Sequence, residues 1–285
     1  MAMIHLEPQT LEMFSRALDG LKPPPNLSLS QWADKYRKLS AEASASQGQW
    51  NTDAAPFQRE IMDAIGDVHV RKVVAMMCAQ AGKTEGLILN TIGFYMSYHP
   101  ASIMVMQPTV NLGESFSKDR LTPMLRDTPA LRGLVNTKSR YSGNTISKKN
   151  FPGGMLVIVG ANAPTDLRSR PIKVLLADEV DAYKASAGKE GDPVMLAEER
   201  QTTFWDYKTV MVSTPTTKSR QPHSGRVQQL HARSNGRCLV RTAAFISRLC
   251  GTTMVLRQRQ VAGRRCAVPL HRVRLSGQRI PLEER

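Results

Sequence analysis

Short apolar runs alternate with helix-length segments between residues 57 and 212, and this alternation restricts the fold more than any other feature of the sequence. The runs are four to seven residues long, a length typical of buried strands. They lie at Lys72–Cys78, Ile103–Met106, Met155–Val159, Lys173–Ala177 and Thr209–Val212. Strands that alternate with helices predict an α/β fold: a mostly parallel sheet with flanking helices, and with loops at its carboxyl edge.

Helical patterns fill the segments around these runs. Four helices are predicted. One covers Leu29–Leu39 and a second begins at Pro56. The other two cover Glu85–Ser97 and residues 110–126. Residues 86–113 contain no Asp, Glu, Lys or Arg. Polar residues and prolines interrupt this stretch before it reaches the roughly 20 apolar residues of a membrane span. A buried helix followed by a buried strand is therefore the better interpretation.

The basic charge of the chain is concentrated in its last part. The formal net charge is +15, but residues 218–285 alone hold 14 Arg and one Lys against two carboxylates, Glu283 and Glu284. Residues 1–217 are therefore close to neutral, and a basic composition says little about them. The four cysteines show no C-x-x-C spacing, which argues against a zinc knuckle and fits a reducing cytoplasm. We also expect no secretory signal at the N-terminus.

Three interpretations of the Arg-rich tail remain open. It could be a basic arm that binds DNA through phosphates, or a solvated extension. It could also be an out-of-frame translation, because the Arg-rich, Lys-poor composition begins abruptly near residue 217. The last interpretation predicts that another reading frame near codons 215–220 restores an acidic, Lys-containing continuation.

A candidate phosphate-binding loop lies where the first apolar run passes into a helix. It reads Ala79-Gln80-Ala81-Gly82-Lys83-Thr84. Gly82 lets the backbone approach a phosphate, Lys83 reaches the β- and γ-phosphates, and the Thr84 hydroxyl can bind Mg²⁺. The full Walker A pattern has a glycine where this chain has Met77. The alternative is an ordinary exposed turn with a G-K-T sequence.

Two carboxylates end a later apolar run, as in a Walker B element. Asp178 and Glu179 follow Val174–Ala177 directly. Asp178 would hold Mg²⁺ through its water shell, and Glu179 would orient and deprotonate the attacking water. The alternative is a strand that simply runs out into solvent. Together with the phosphate loop, the pair favours an NTPase.

Hydroxyl side chains end the run at Thr209–Val212. Ser213 and Thr214 precede Pro215, and such a strand end in helicase-like ATPases senses the γ-phosphate. The alternative is an ordinary exit from strand to turn.

The motifs, in their order and spacing, resemble the ATPase domain of tailed-phage terminase large subunits of the GpA type. The resemblance runs from about Leu27 to Thr217. It rests on these segments: Phe57-Gln58, CAQAGKTE (78–85), MQPT (106–109), GANAPTDLRSRP (160–171), LLADEVDAY (175–183) and VSTPT (212–216).

The resemblance implies an additional-strand, RecA-like P-loop NTPase core. It places Gln58 near the adenine and Gln80, Ala81, Gly82, Lys83, Thr84 and Glu85 at the nucleotide. It also accounts for Met77, because the phosphate loops of these DNA-packaging motors depart from the full Walker A pattern. Arg168 and Arg170 are candidates for charge stabilisation at the γ-phosphate, with a solvated or DNA-facing turn as the alternative. Ser213 and Thr214 would couple hydrolysis to DNA movement.

The resemblance also implies a cellular role and partners. The chain would couple Mg-ATP hydrolysis to the packaging of double-stranded phage DNA into a procapsid. The expected partners are a small terminase subunit, the portal and further copies of the chain, and no membrane is expected among them. The expected location is the cytoplasm of a bacterium that hosts the phage or prophage.

The expected domains are a peripheral segment (1–50), the ATPase domain (51–217) and the tail (218–285). Two-metal nucleases need several carboxylates, so the tail is not expected to hold the nuclease site of full-length relatives. Two rival functions stay open: a helicase-like ATPase, and a non-enzymatic basic DNA-binding protein.

Overall fold

The computed structural model of the chain describes residues 26–42, 47–135, 143–168, 170–188 and 190–214, together with Met13 and two later strands. The strands are β1 (Lys38–Leu39), β2 (Gly48–Gln49), β3 (Lys72–Met76), β4 (Ile103–Gln107), β5 (Lys148–Phe151), β6 (Gly154–Gly160), β7 (Val174–Ala177), β8 (Lys208–Ser213), β9 (Val240–Ala244) and β10 (Val255–Arg259). The helices are α1 (Leu29–Tyr36), α2 (Phe57–Gly66), α3 (Asn90–Ser97), α4 (Val110–Phe116), α5 (Thr122–Asp127), α6 (Pro164–Leu167) and α7 (Pro193–Glu198).

Two helices contain a wide, π-helical turn. Residues Thr84–Leu89 form such a turn and continue directly into α3. Residues Ser117–Leu121 form another between α4 and α5, so the predicted helix at 110–126 is present as one rod with a bulge in its middle. Single 3₁₀ turns lie at Thr52–Ala54, Val180–Ala182 and Glu199–Gln201.

One sheet carries the fold, with its strands in the order β10-β9-β3-β8-β7-β4-β6-β5. The strands from β9 to β6 in this order all run parallel to their neighbours. The two outer strands, β10 and β5, are antiparallel. Strand β8 lies between β3, which leads into the phosphate loop, and β7, which ends at the acidic pair. This inserted strand confirms the predicted additional-strand, RecA-like architecture.

Both faces of the sheet are buried, which explains why its strands are continuous apolar runs. Val174 and Leu176 of β7 pack into a cluster with helices α1, α2 and α3, and Leu175 and Ala177 pack into a second cluster with α6 and α7. Successive strand residues point to opposite faces, so alternate residues supply the two clusters. The charge-free stretch 86–113 is confirmed as a buried helix followed by a buried strand.

All five predicted strands are present, with ends that differ by one or two residues. Strand β5 was not predicted because its sequence, Lys-Lys-Asn-Phe, has no apolar run; it forms by antiparallel pairing with β6. The predicted helix at Leu29–Leu39 ends at Tyr36, because the chain there turns extended to form β1.

The described part of the N-terminal segment packs into the core. Leu29 and Trp32 are buried in the main core cluster, where Leu29 lies against Gly66 of α2 and the indole of Trp32 donates to Ser97 Oγ at 3.1 Å. The prediction of a peripheral segment therefore does not extend to these residues.

Two strands of the Arg-rich tail join the sheet. Strand β9 pairs with β3 along five residues, and β10 pairs with β9. Pro215 and most of the tail lie outside the described residues, so the boundary at residue 217 stays a prediction. In the part of the chain with a described structure, no helix is long and apolar enough to cross a membrane.

Candidate nucleotide-binding site

The residues singled out in the sequence meet at one edge of the sheet. Strands β3, β8, β7 and β4 are neighbours and parallel, so their carboxyl ends lie side by side. The register pairs Met76 with Ser213 and Ala177 with Met211. The phosphate loop therefore emerges beside Ser213 and Thr214, and the acidic pair emerges on the other side of the same strand.

The phosphate loop turns through two left-handed residues. Gln80 has φ of 58° and Gly82 has φ of 70°, with Ala81 between them. Alternation of right- and left-handed residues turns successive N–H groups to one side of the chain, which makes an anion-binding concavity. Lys83 then begins the helix, whose first N–H groups are also free to receive a phosphate.

Met77 occupies the position of the first Walker A glycine without disturbing the loop. Its backbone N–H donates to Ser213 O at 3.0 Å, which continues the ladder between β3 and β8 by one residue. Its side chain is fully buried in the main core cluster. Because the side chain at this position faces the core directly after β3, a large apolar residue is favoured there.

Lys83 links the phosphate loop to the other two strand ends. Its buried ammonium donates to Thr214 Oγ1 and lies 3.8 Å from Glu179 Oε1. The lysine predicted to contact phosphates therefore contacts a residue predicted for coupling and the predicted catalytic carboxylate.

Asp178 lies at the base of the site and accepts three hydrogen bonds. Thr84 Oγ1 donates to Asp178 Oδ2 at 3.2 Å and Gln107 Nε2 donates to the same oxygen at 3.4 Å. The N–H of Glu179 donates to Oδ1 at 3.1 Å. Burial raises the pKa of Asp178 above its ordinary value, although the Lys83 ammonium opposes this shift. A cation placed here would favour the ionised carboxylate.

Glu179 points away from this base and toward solvent. Its φ of 53° is left-handed, a conformation that is uncommon for a residue with a side chain. The bend separates the two adjacent carboxylates, so Asp178 is buried while the Glu179 side chain is 54% exposed. One carboxylate therefore lies in the base of the site and the other is open to solvent, and their roles at a metal ion and a water molecule stay predictions.

Gln58 lies beneath the phosphate loop. It is 1% exposed, and its Nε2 donates to Ala81 O at 2.7 Å. Its Oε1 has no hydrogen-bond partner among the described residues. A Cβ at Gly86 would lie 1.9 Å from that oxygen, so only glycine leaves room for Gln58 here.

Glu85 turns away from the loop toward two arginines. Its Oε2 lies 2.7 Å from Arg37 Nη2, and its Oε1 lies 3.3 Å from Arg120 Nη1. A direct role of Glu85 at the nucleotide stays a prediction.

The remaining predicted residues are Ser213, Arg168 and Arg170. Ser213 ends β8, and its Oγ is buried without a hydrogen-bond partner in the described part of the chain. Arg168 forms an ion pair with Glu190 at 3.0 Å. Arg170 Nη1 lies 3.5 Å from Met155 Sδ. Within the described part of the chain, neither arginine forms a hydrogen bond or ion pair with Lys83, Asp178 or Glu179, and their role stays a prediction.

Two residues of the site carried no predicted role. Gln107 ends β4 and holds Asp178, and Tyr183 is a buried residue whose hydroxyl donates to Met106 O at 2.8 Å. Burial, with the nearby Asp178 carboxylate, raises the pKa of Tyr183 well above its ordinary value. A polar residue directly at the end of an apolar run was the signal for Gln107. Tyr183 offered none, because its contact depends on tertiary packing.

The residues present fit a magnesium–nucleotide pair. Mg²⁺ is commonly held by one or two protein oxygens together with water and substrate phosphates. Thr84 Oγ1 and Asp178 Oδ2 are such oxygens, and the concave loop faces them. Among the described residues, no group of three or more His, Cys, Asp or Glu side chains could hold a metal without such help.

The strand order and the residues at the strand ends define an additional-strand P-loop NTPase. Residues 44–242 match the family described as "Phage terminase large subunit gpA, ATPase domain". The chain therefore belongs to this family of phage terminase ATPase domains. The matched region extends beyond residue 217, so the family similarity includes the beginning of the Arg-rich tail and strand β9 through Thr242.

Known relatives agree with this assignment. The chain is 30% identical over 198 residues to the terminase large subunit of Enterobacteria phage P21, covering 68% of this chain and 30% of that protein. It is 29% identical over 209 residues to the large subunit of Escherichia phage lambda, covering 72% of this chain and 32% of that protein. The chain thus matches about a third of the length of these relatives.

A solved structure has the same fold. The large terminase of bacteriophage HK97 superposes with a TM-score of 0.56 at 14% identity, covering 73% of this chain and 41% of that chain. At this identity the likeness supports the fold alone.

Proposed function

We propose that the chain binds and hydrolyses ATP with Mg²⁺. The observation that carries this proposal is the convergence of Lys83, Thr84, Asp178 and Glu179 at the carboxyl ends of neighbouring strands. Residues separated by 94 positions in the chain come within hydrogen-bond distance there. An accidental G-K-T turn would not be expected to face a buried aspartate and a bent glutamate.

Each residue has a role that follows from its position. The backbone of Gln80, Ala81 and Gly82 binds the phosphates, and Lys83 bridges the β- and γ-phosphates. Thr84 and Asp178 hold Mg²⁺, which supplies charge neutralisation on the phosphate oxygens. Gln58 supports the loop on its adenine side.

Glu179 accepts the proton of the attacking water. The water oxygen forms a bond to the γ-phosphorus, the bond from that phosphorus to the bridging oxygen breaks, and ADP leaves with the electron pair. The Glu179 carboxylate lies 3.8 Å from the Lys83 ammonium in this structure. Phosphates that attract Lys83 weaken this pair and free Glu179 to contact water.

Ser213 and Thr214 connect the site to the rest of the sheet. Lys83 donates to Thr214, so a change in the position of Lys83 on hydrolysis reaches the end of β8 directly. This contact supports a coupling role for the two hydroxyl residues. Arg168 and Arg170 remain the proposed charge stabilisers, which requires Arg168 to leave Glu190.

The hydrolysis is proposed to drive packaging of double-stranded phage DNA. Membership in the terminase large subunit family supports this role. The proposed partners are the DNA, a small terminase subunit, the portal of a procapsid and further copies of the chain. The proposed location is the cytoplasm of the bacterial host.

Steady-state ATPase assays of the full chain test the enzyme proposal. We expect Mg²⁺-dependent turnover, stimulated by double-stranded DNA. Lys83→Ala and Glu179→Gln should each lower kcat by about 100-fold or more, because they remove phosphate stabilisation and the general base. Glu179→Gln should still bind ATP.

Lys118→Ala and Glu114→Gln are the matched controls, because these residues form an exposed ion pair at 3.4 Å on another helix. Both controls should keep the ATPase rate. Equal ATPase rates in all five proteins would contradict the enzyme proposal and favour a non-enzymatic DNA-binding protein. Stimulation by single-stranded but not double-stranded nucleic acid would favour the helicase-like alternative.

A further inference from the structure

We propose that Arg37 and Glu85 form an ion pair that positions the phosphate-loop helix, which makes Arg37 a positioning residue for Mg-nucleotide binding. This inference rests on the proposed function. It assigns Arg37, in the segment between α1 and β1, a role at a site about 50 positions further along the chain. It also gives Glu85 a role through the helix and not through direct contact with the nucleotide.

The pair is short and almost completely removed from solvent. Arg37 Nη2 lies 2.7 Å from Glu85 Oε2, with the two side chains 2% and 13% exposed. A charge-assisted hydrogen bond in such surroundings is stronger than one at the surface. It therefore fixes the position of Glu85 relative to the segment that carries Arg37.

The backbone around Arg37 is itself held on both sides. The N–H of Arg37 donates to Ala33 O at 3.0 Å, which ends α1, and its carbonyl accepts from Trp50 N at 2.9 Å. The N–H of the next residue, Lys38, donates to Thr128 Oγ1 at 3.3 Å, and Arg37 Nη1 donates to the Lys38 carbonyl. Arg37 is thus a fixed anchor and not a mobile side chain.

The helix that follows the phosphate loop needs such an anchor. Its first turn, Thr84–Leu89, is π-helical, and the N–H of Asn90 donates to Glu85 O, five residues back. A π-helical turn is wide and rare, so its backbone determines orientation less well than an α-helical turn. Successive side chains on a helix point in different directions. Thr84 faces Asp178 while Glu85 faces Arg37, and the anchor on one side restrains rotation of the hydroxyl on the other.

Stability alone explains this pair poorly. A buried ion pair costs desolvation that often cancels its Coulombic gain. Burial lowers the pKa of Arg37, with the Glu85 carboxylate opposing the shift. The Nε of Arg37 is buried without a hydrogen-bond partner among the residues described. An incompletely paired buried guanidinium is a cost that a positioning role would explain.

A pure charge effect and a positioning effect predict different changes in nucleotide affinity for the Arg37 and Glu85 variants. If the pair acts only through its electric field, removing Arg37 weakens phosphate binding and neutralising Glu85 strengthens it. If the pair positions Thr84, removing either partner weakens binding in the same direction. The comparison of the two single variants therefore separates positioning from simple charge.

The experiment measures the Kd of a fluorescent ATP analogue for the full chain, with Mg²⁺ and with EDTA. The variants are Glu85→Gln, Arg37→Met, Arg37→Lys and the double variant Arg37→Met/Glu85→Gln. Glu198→Gln is the matched control, because Glu198 pairs with Lys72 at 2.6 Å, partly buried, near the opposite edge of the sheet. Thermal unfolding of each variant reports whether it folds.

We expect Glu85→Gln and Arg37→Met each to raise the Kd for the Mg-nucleotide by about tenfold, the usual effect of losing a residue that orients a metal ligand. The Kd in EDTA should change less, since Thr84 acts through Mg²⁺. The double variant should be no weaker than Glu85→Gln alone, because that substitution already removes the contact to Arg37 together with the contact to Arg120. Arg37→Lys should be intermediate, since it keeps the charge without the planar fork.

Three results would overturn the inference. They are opposite shifts for Glu85→Gln and Arg37→Met, equal losses with and without Mg²⁺, and additive losses in the double variant. If Arg37→Met does not fold, the Kd values of the isosteric Glu85→Gln and the conservative Arg37→Lys still test the inference. An unmodified chain that binds no nucleotide contradicts the proposed function instead, so the two failures are distinguishable.

Discussion

At the scale of single residues, the protein contains buried polar groups whose positions depend on charge and hydrogen bonding. Lys208 is the clearest example away from the nucleotide site. It begins β8 and is almost fully buried, and its Nζ donates to Asp67 O at 2.6 Å and to Val70 O. These bonds hold the loop between α2 and β3. Burial lowers the pKa of Lys208 to about 8.

This lowered pKa predicts an unusual dependence of stability on pH. Between about pH 8 and the ordinary lysine value near 10.4, the unfolded chain binds the proton that the folded chain has lost. The contribution of Lys208 to the free energy of unfolding should therefore rise with pH in this window. The neutral amine still has two N–H donors for its two carbonyl partners, so deprotonation costs no hydrogen bond.

Urea denaturation of the unmodified chain and of Lys208→Met, from pH 7.5 to 10.5, measures the effect. The difference in free energy of unfolding should grow in favour of Lys208 by about 1–3 kcal/mol across the window. Lys173→Met is the control, since Lys173 is more exposed and forms an ion pair with Asp206 at 2.5 Å. A difference for Lys208→Met that does not vary with pH would contradict the prediction.

At the scale of elements, glycines let helices pack closely enough to carry the site. Helix α3, which continues the phosphate-loop turn, contacts α1 at Gly93. A Cβ at this position would lie 2.3 Å from Trp32 Cη2. The Trp32 ring cannot easily move, because it is buried and its N–H donates to Ser97 Oγ. The path from α1 to the phosphate loop therefore depends on this contact as well as on Arg37.

Gly93→Ala should destabilise the protein despite the better helix propensity of alanine. We expect a loss of about 1–3 kcal/mol in the free energy of unfolding, which is the usual cost of overpacking. Gly113→Ala in α4 is the matched control, because its nearest contact would be the Cγ2 methyl of Ile158 at 3.0 Å, which is 0.7 Å longer than the contact at Gly93. Thermal or urea denaturation measures both. A Gly93→Ala variant at least as stable as Gly113→Ala would contradict this packing account.

At the scale of the whole molecule, the sheet depends on strands that come late in the chain. Strand β3, which leads into the phosphate loop, has β8 on one side and β9 on the other. Residues 240–244 supply β9 from the Arg-rich tail. The family similarity also extends to residue 242. These two observations connect the beginning of the tail to the ATPase domain, whatever the origin of its composition.

Shortening the chain tests this connection. A chain that ends at residue 239 would leave β3 as an edge strand with unpaired N–H and C=O groups. We expect it to unfold at lower urea concentration and to self-associate in light-scattering measurements. A chain that ends at residue 262 keeps β9 and β10 and should behave like the full chain. Equal stability of the chains ending at 239 and 262 would show that the two strands contribute nothing.

The sequence by itself determined the fold class and the strands that carry the candidate site, and it pointed to most of the residues that meet there. This was possible because a strand buried on both faces leaves a continuous apolar run, and because polar residues directly after such runs lie at one sheet edge. Lys83, Asp178 and Glu179 were visible in this way. The inserted position of β8 was implied only by the family resemblance.

Tertiary structure alone decided what depends on contacts between distant segments. It placed Gln107 on Asp178, Tyr183 on the backbone of β4, and Arg37 on Glu85. It also determined that Met77 replaces a glycine without strain and that β5 forms from a polar sequence. None of these leaves a local pattern, because hydrogen bonds and ion pairs between residues dozens of positions apart depend on how the helices pack against the sheet.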